Sequence, residues 1–258
     1  MQNLRYVSRN PLLIMHRDVT KHLMKKLLFI LISTIVVISY AQEKPINLVE
    51  NTLNHLKIKK KNCFTKLIKN EKISELESII LIPEIAEKGD GYIILNGHIL
   101  IVNNKNGKIK SHFSEKKSWY SDAVRLDNIQ IIYKPYKISK DSETIGVVID
   151  YYGSSRANPY SSKELSLFIR KGVKLIRVLK DYSIYSSNGE TNGANSGEFV
   201  EHRKTIEPII NSETKFFNLK VIDSIIKTES KDGVQTKIKN SNKIEQLKFI
   251  NGKYKNVL

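Results

Sequence analysis

From Leu76 to its end the chain is a succession of short β-rich runs punctuated by two-residue turn signals, and this pattern restricts the fold more than any other feature. The runs are 76–82, 92–95, 98–103, 108–113, 126–133, 144–152, 165–170, 173–182, 199–206, 216–227, 234–239 and 244–250. Between them stand Gly89-Asp90-Gly91, Asn96-Gly97, Asn106-Gly107, Lys171-Gly172, Asp232-Gly233 and Asn251-Gly252, dipeptides that accept the positive φ of a tight hairpin turn. Ile145, Val147, Ile149 and Tyr151 alternate as one buried face requires, as do Leu165, Leu167 and Ile169. The expectation is an all-β domain, a sandwich or open barrel of short antiparallel strands. No fixed-period repeat marks a propeller.

A different pattern precedes the strands. Val49, Leu53, Leu56, Cys63 and Leu67 recur at helical spacing, with Lys57 and Lys59 to Lys61 off that stripe. One amphipathic helix over 47–70, broken near Lys60, is expected to cover the sheet. At 40% hydrophobic the chain has enough apolar side chain for a core and is no disordered polyelectrolyte. Its one cysteine, Cys63, excludes an internal disulfide and a thiolate metal cage.

Residues 24–41 carry an address. Lys25 and Lys26 precede the apolar run Leu27 to Ile38, and Ser39 and Ala41 put small residues at −3 and −1 of a cut before Gln42. This is the pattern of a bacterial secretory signal peptide. The organisation expected is therefore 1–23 as upstream or misassigned start, 24–41 as signal, 42–75 as a helical segment and 76–258 as the β-rich domain. Cleavage near Ala41-Gln42 would deliver a periplasmic or extracellular protein with no transmembrane span. No cysteine follows the apolar run directly, so no lipid anchor is expected.

The formal charge is +17, of which the first 41 residues contribute six basic and one acidic side chain, leaving 217 residues at +12. Those 217 residues hold 32 Lys and five Arg. Phosphate recognition favours the planar guanidinium, so a Lys-dominated surface is read as solvating charge, and no nucleic-acid partner is expected.

Antiparallel pairing of consecutive strands would bring three long loops, 114–125, 153–163 and 183–198, to one end. They carry Trp119, Tyr120, Arg156, Asn158, Tyr160, Glu190 and Asn192, aromatic faces with amides, a guanidinium and a carboxylate, which suit a glycan, peptide or protein ligand. Asp150, Glu198 and Asp122 approach the same end, and two carboxylates at glycosidase spacing would permit acid/base hydrolysis. His98 and His112 lie on opposite arms of one hairpin, but two imidazoles without a third ligand do not make a metal centre. GxSxG, HExxH, P-loop and GxGxxG motifs are absent from the sequence. No cofactor, metal or disulfide is expected. The leading expectation is an exported binding or accessory protein of the cell envelope, ahead of a carboxylate hydrolase and a structural envelope component.

Overall fold

Two antiparallel meanders, packed face to face, make up residues 69–256. The computed structural model describes residues 24–29, 46–192, 196–211 and 213–257. Residues 24–29 are helical (α1), and the rest of the expected signal segment, with its cleavage site and residues 1–23, lies outside the described residues. Ile46–Leu258 form one compact unit. No helix among the described residues is long and apolar enough to cross a membrane.

The unit opens with α2 (Leu48–Leu56), capped by Asn47, whose side chain accepts from the Glu50 amide at 3.1 Å. The helix is shorter than the periodicity suggests. Lys57 turns into the left-handed region at φ 58°. Its amide then bonds Asn54 O and that of Ile58 bonds Leu53 O, closing the end of the helix. Short 3-10 turns, Lys60–Asn62 and Thr65–Leu67, carry Cys63 and Leu67 into the core without a helix.

The first meander is β1 (Lys69–Lys72), β2 (Glu77–Gly89), β3 (Tyr92–Asn103) and β4 (Ile109–Ser121). The second runs β5 (Val124–Tyr133), β6 (Thr144–Gly153), β7 (Tyr160–Lys171), β8 (Lys174–Thr191), β9 (Gly197–Ile209), β10 (Asn218–Lys231), β11 (Val234–Ile250) and β12 (Lys253–Asn256). Among the described residues every strand pairing within a meander is antiparallel between neighbours in sequence, and one parallel bridge, His112 to Lys174, joins the two. The fold is all-β.

Three apolar layers result. Ile80, Ile82, Leu100 and Val102 pack under α2 with Leu53 and Ile58. Ile79, Leu81, Ile99 and Ile101, on the other face of the same strands, meet Ile145, Val147, Ile149 and Phe168 of the second meander. A third cluster gathers Val148, Leu165 and Leu167 with Ile206, Leu219, Val221 and Leu247. The unbroken run Ile79-Ile80-Leu81-Ile82 thus belongs to a strand covered on both sides.

Turn signals at Asp90-Gly91, Asn106-Gly107, Lys171-Gly172, Asp232-Gly233 and Asn251-Gly252 do close hairpins, each with its glycine at positive φ. Asn96-Gly97 does not. It sits inside β3 at a register shift, where the Trp119 ring lies across Gly97 and a Cβ would meet that ring at 3.0 Å. Segments 114–125 and 183–198 are also mostly strand: β4 continues to Ser121, and β8 and β9 extend as one long hairpin.

Candidate functional site

The register Val124–Gly153–Tyr160–Asn188–Val200 levels the starts and ends of β5 to β9, so the ends expected to meet do lie together. Between β6 and β7 the chain leaves the sheet at Ser154 and returns alongside β8. Gly189 N donates to Pro159 O at 3.0 Å, Thr191 N to Ala157 O at 2.8 Å, and Thr191 Oγ1 to Arg156 O at 2.7 Å. The loop therefore docks as an extra edge on β8, and its side chains form one wall of a groove.

That groove encloses about 520 Å³ and is lined by Asn158, Pro159, Tyr160, Asn188, Gly189, Glu190, Glu198 and Val200. Tyr160, Asn188 and Val200 are paired across β7, β8 and β9 and project from one face. Glu190 and Glu198 are paired one step nearer the hairpin tip. Gly189 is required here: Phe199 lies across its other face, and a Cβ would meet Phe199 Cδ1 at 2.5 Å.

The electrostatics are unusual for a basic protein. Glu190 faces Glu198 across β8–β9, and Glu198 faces Glu229 across β9–β10. Like charges directly opposite are destabilising in a sheet. Relief comes at the far end, where Lys237 Nζ reaches Glu229 Oε1 at 2.7 Å. The groove thus ends in a carboxylate lip.

No protein-family model, curated protein or solved structure matches this chain. Its chemistry has to be read from the side chains.

Of the expected ligand-binding residues, Asn158, Tyr160 and Glu190 come together in the groove. Trp119 does not. It is 7% exposed and packs with Leu95 and Leu126 in the core between the meanders, because β4 carries it inward rather than into a loop. Tyr120, its outward neighbour on β4, stacks on Tyr92 at 6.1 Å between ring centroids. Arg156 is exposed, and its backbone, not its guanidinium, fastens the loop. Asn192 begins the β8–β9 tip, its amide bonded to Ser196 O at 3.0 Å and its Oδ1 accepting from Ser196 N at 3.2 Å.

The carboxylates proposed from sequence as an acid/base set are dispersed. Asp150 is level with Lys163, whose ammonium is 3.6 Å away, and takes a 3.0 Å hydrogen bond from Gln130. Lys163 and Tyr160 stand on opposite faces of β7, so Asp150 and Glu198 also point opposite ways. Five residues along and three strands over separate them, roughly 20 Å. Asp122 is used locally, accepting from the Val124 amide at 2.9 Å in the β4–β5 turn. His98 is held by Ser114 Oγ at 2.9 Å and Glu84 at 3.1 Å. No group of three or more metal-binding side chains occurs among the described residues.

Asn188 and Val200 are groove residues that the sequence reading did not assign, and Glu198 entered it as an acid/base candidate. Their signal was the alternation Asn188-Gly189-Glu190 and Glu198-Phe199-Val200, which marks polar strand faces once both segments are recognised as strands.

Proposed function

We propose that this chain is an exported binding protein of the bacterial cell envelope whose groove on β7, β8 and β9 takes a hydroxyl-rich ligand, a segment of glycan. One observation carries the reading: Asn158 and Tyr160 from one connection and Glu190 from another, all expected to contact ligand, line a single groove of about 520 Å³. That size falls within the range of small-molecule sites, where a few convergent polar groups fix orientation. The Tyr160 ring offers a flat apolar face to a sugar ring, and its hydroxyl offers a hydrogen bond. Asn158 and Asn188 supply donors and acceptors, while Glu190 and Glu198 supply acceptors for ligand hydroxyls. A paired carboxylate lip, unfavourable in an unliganded sheet, is consistent with a surface kept for recognition. Export rests on the Lys25-Lys26, apolar-run and Ser39/Ala41 pattern.

The test is a glycan array on the purified protein, followed by calorimetric titration of the strongest hit. A triple variant Asn158→Ala, Tyr160→Ala and Glu190→Ala is expected to bind at least tenfold more weakly while unfolding at the same urea concentration. Undiminished binding by that variant, or no binding across the array, overturns the reading.

A further inference from the structure

Next to the groove, on the same face, Ser162, Ser186 and His202 stand in one row. Ser162 pairs with Ser186 across β7–β8, and Ser186 pairs with His202 across β8–β9. Directly opposed residues of antiparallel strands share a face, with Cβ atoms about 4.5–5.5 Å apart. The row lies two residues from Tyr160, Asn188 and Val200 on each strand, so it continues the groove floor.

The histidine is held from behind. His202 Nδ1 lies 2.9 Å from Asp223 Oδ2 on β10, and the Asp223 side chain is only 5% exposed. Asp223 Oδ1 and Ser162 Oγ are both buried without a hydrogen-bond partner. Buried polar atoms are normally satisfied, and an orphan oxygen on the carboxylate that holds the imidazole calls for a reason.

The position in the fold supplies one. Tyr185–Arg203 is the last pair of β8 with β9, and beyond it the strands part. β8 is irregular there, with a register shift opposite Lys163/Glu164 and Asp181 at φ 43°. Across the fork Tyr182 donates to Glu245 at 3.1 Å and lies 4.8 Å under the Lys204 ammonium. Asp223 is buried on β10 behind His202, whereas Ser186 and His202 are half-buried.

We propose that Ser186, His202 and Asp223 form a hydrolytic site for carboxylic esters, with O-acyl groups of a glycan as substrate class. The choice of an acylated glycan rests on the binding reading above; the ester chemistry does not. Asp223, a positioning residue, accepts a hydrogen bond from Nδ1–H, stays ionised, and leaves Nε2 as the base. Nε2 takes the Ser186 hydroxyl proton as Oγ bonds to the ester carbonyl carbon. The bond from that carbon to the alcohol oxygen then breaks, and the departing oxygen receives the proton back from Nε2. Water, deprotonated by Nε2, attacks acyl-Ser186, and the carboxylic acid leaves as Oγ regains its proton. Ester and water are consumed; alcohol and acid are formed.

The test uses the full chain with p-nitrophenyl acetate, and separately with a fluorophosphonate probe followed by peptide mapping. The probe is expected to mark Ser186. Ester turnover is expected to fall at least 100-fold in Ser186→Ala and in His202→Gln, the scale of a lost nucleophile or general base. Asp223→Asn should lower kcat with KM unchanged, which a merely structural role would not produce. Ser162→Ala should still react with the probe. Should Asp223→Asn fail to fold, the His202→Gln and labelling results decide alone. No labelling, labelling elsewhere, or unchanged turnover in Ser186→Ala overturns the proposal. Ester turnover and Ser186 labelling, with no glycan bound across the array, would overturn the binding reading alone. Glycan binding without ester turnover in the unaltered protein overturns the hydrolytic site alone.

Discussion

The guanidinium of Arg177 on β8 grips both carboxylate oxygens of Glu115 on β4, at 2.8 and 2.6 Å, and lies 5.3 Å over the Phe113 ring. The relationship matters because, beyond the β4–β5 turn, the sheet ladder joins the two meanders among the described residues at one bridge, His112 to Lys174. A second clamp, Arg170 on both oxygens of Glu77 at 3.1 and 3.0 Å, fastens the same seam. Charge-assisted pairs, two-pronged at Arg177 and shared from one nitrogen at Arg170, supply orientation that one bridge cannot.

Arg177→Ala should therefore destabilise the protein by about 1–3 kcal/mol at neutral pH, since it strands a partly buried carboxylate. Burial alone would raise the Glu115 pKa, but the Arg177 hydrogen bonds and charge, with Ser118 and Lys180, hold it below the ordinary carboxylate range. A depressed folded pKa gives stability that is present above the unfolded value, about 4.3, and is lost as pH falls through the folded value. The penalty of Arg177→Ala should thus shrink on acidification below about pH 4. Urea midpoints of both proteins at neutral and acidic pH check it; a pH-independent penalty would contradict the pairing.

Glu164 should behave with the opposite sign. Burial, and then the nearby Asp181 charge, push its pKa up. A raised folded pKa means the group contributes fully only below its unfolded value and loses that contribution as pH rises through the folded value. Glu164→Gln should accordingly be more stable than the parent at neutral pH, with the gain vanishing below about pH 4. Paired melts at the two pH values check this, and a gain that persists in acid would show that charge is not its source.

Trp119 and Tyr120 make a paired prediction from adjacent positions. Trp119→Ala empties a site between the meanders and should lower stability by about 3–5 kcal/mol. Tyr120 is 47% exposed and touches Tyr92, so Tyr120→Ala should stay within about 1 kcal/mol. Denaturant titration of both variants measures the difference. Equal losses would place the tryptophan wrongly.

That contrast also locates what the sequence could carry. The alternation of Ile145, Val147 and Ile149 and five of the six turn dipeptides are local signals, and each corresponds to the observed element. Trp119 is not placed by local pattern, because an aromatic in Ser-Trp-Tyr reads equally as loop or strand; only the partner strand, through Leu95 and Gly97, decides. The outer part of the β8–β9 hairpin, 183–191, reads as loop for a similar reason. Ser, Asn and Gly have low strand preference, and here pairing with β7 and β10 overrides it. That Asn158, Tyr160 and Glu190 come together is legible because the order of turns indicates which strand ends meet. The His202–Asp223 pair was not legible, since it depends on a diagonal contact across a register that no local pattern encodes.

Lys57 gives the last prediction. It occupies the left-handed position that ends α2, at φ 58° and ψ 32°, with its amide on Asn54 O at 3.1 Å and the next amide, Ile58, on Leu53 O at 3.0 Å. Glycine is the usual residue there because a Cβ in this conformation costs about 1–2 kcal/mol. Part of any gain is offset by the greater freedom of glycine in the unfolded chain. Lys57→Gly should therefore stabilise by about 0.5–1 kcal/mol, and Lys57→Val, β-branched and poorly tolerated at positive φ, should destabilise by more than that. In a domain of this size 1 kcal/mol corresponds to about 2–4 °C in Tm, which thermal unfolding resolves. A Tm unchanged by both substitutions would mean that α2 is held by its packing on β2 and β3 alone, through Leu53 and Ile58, and not by the geometry of its end.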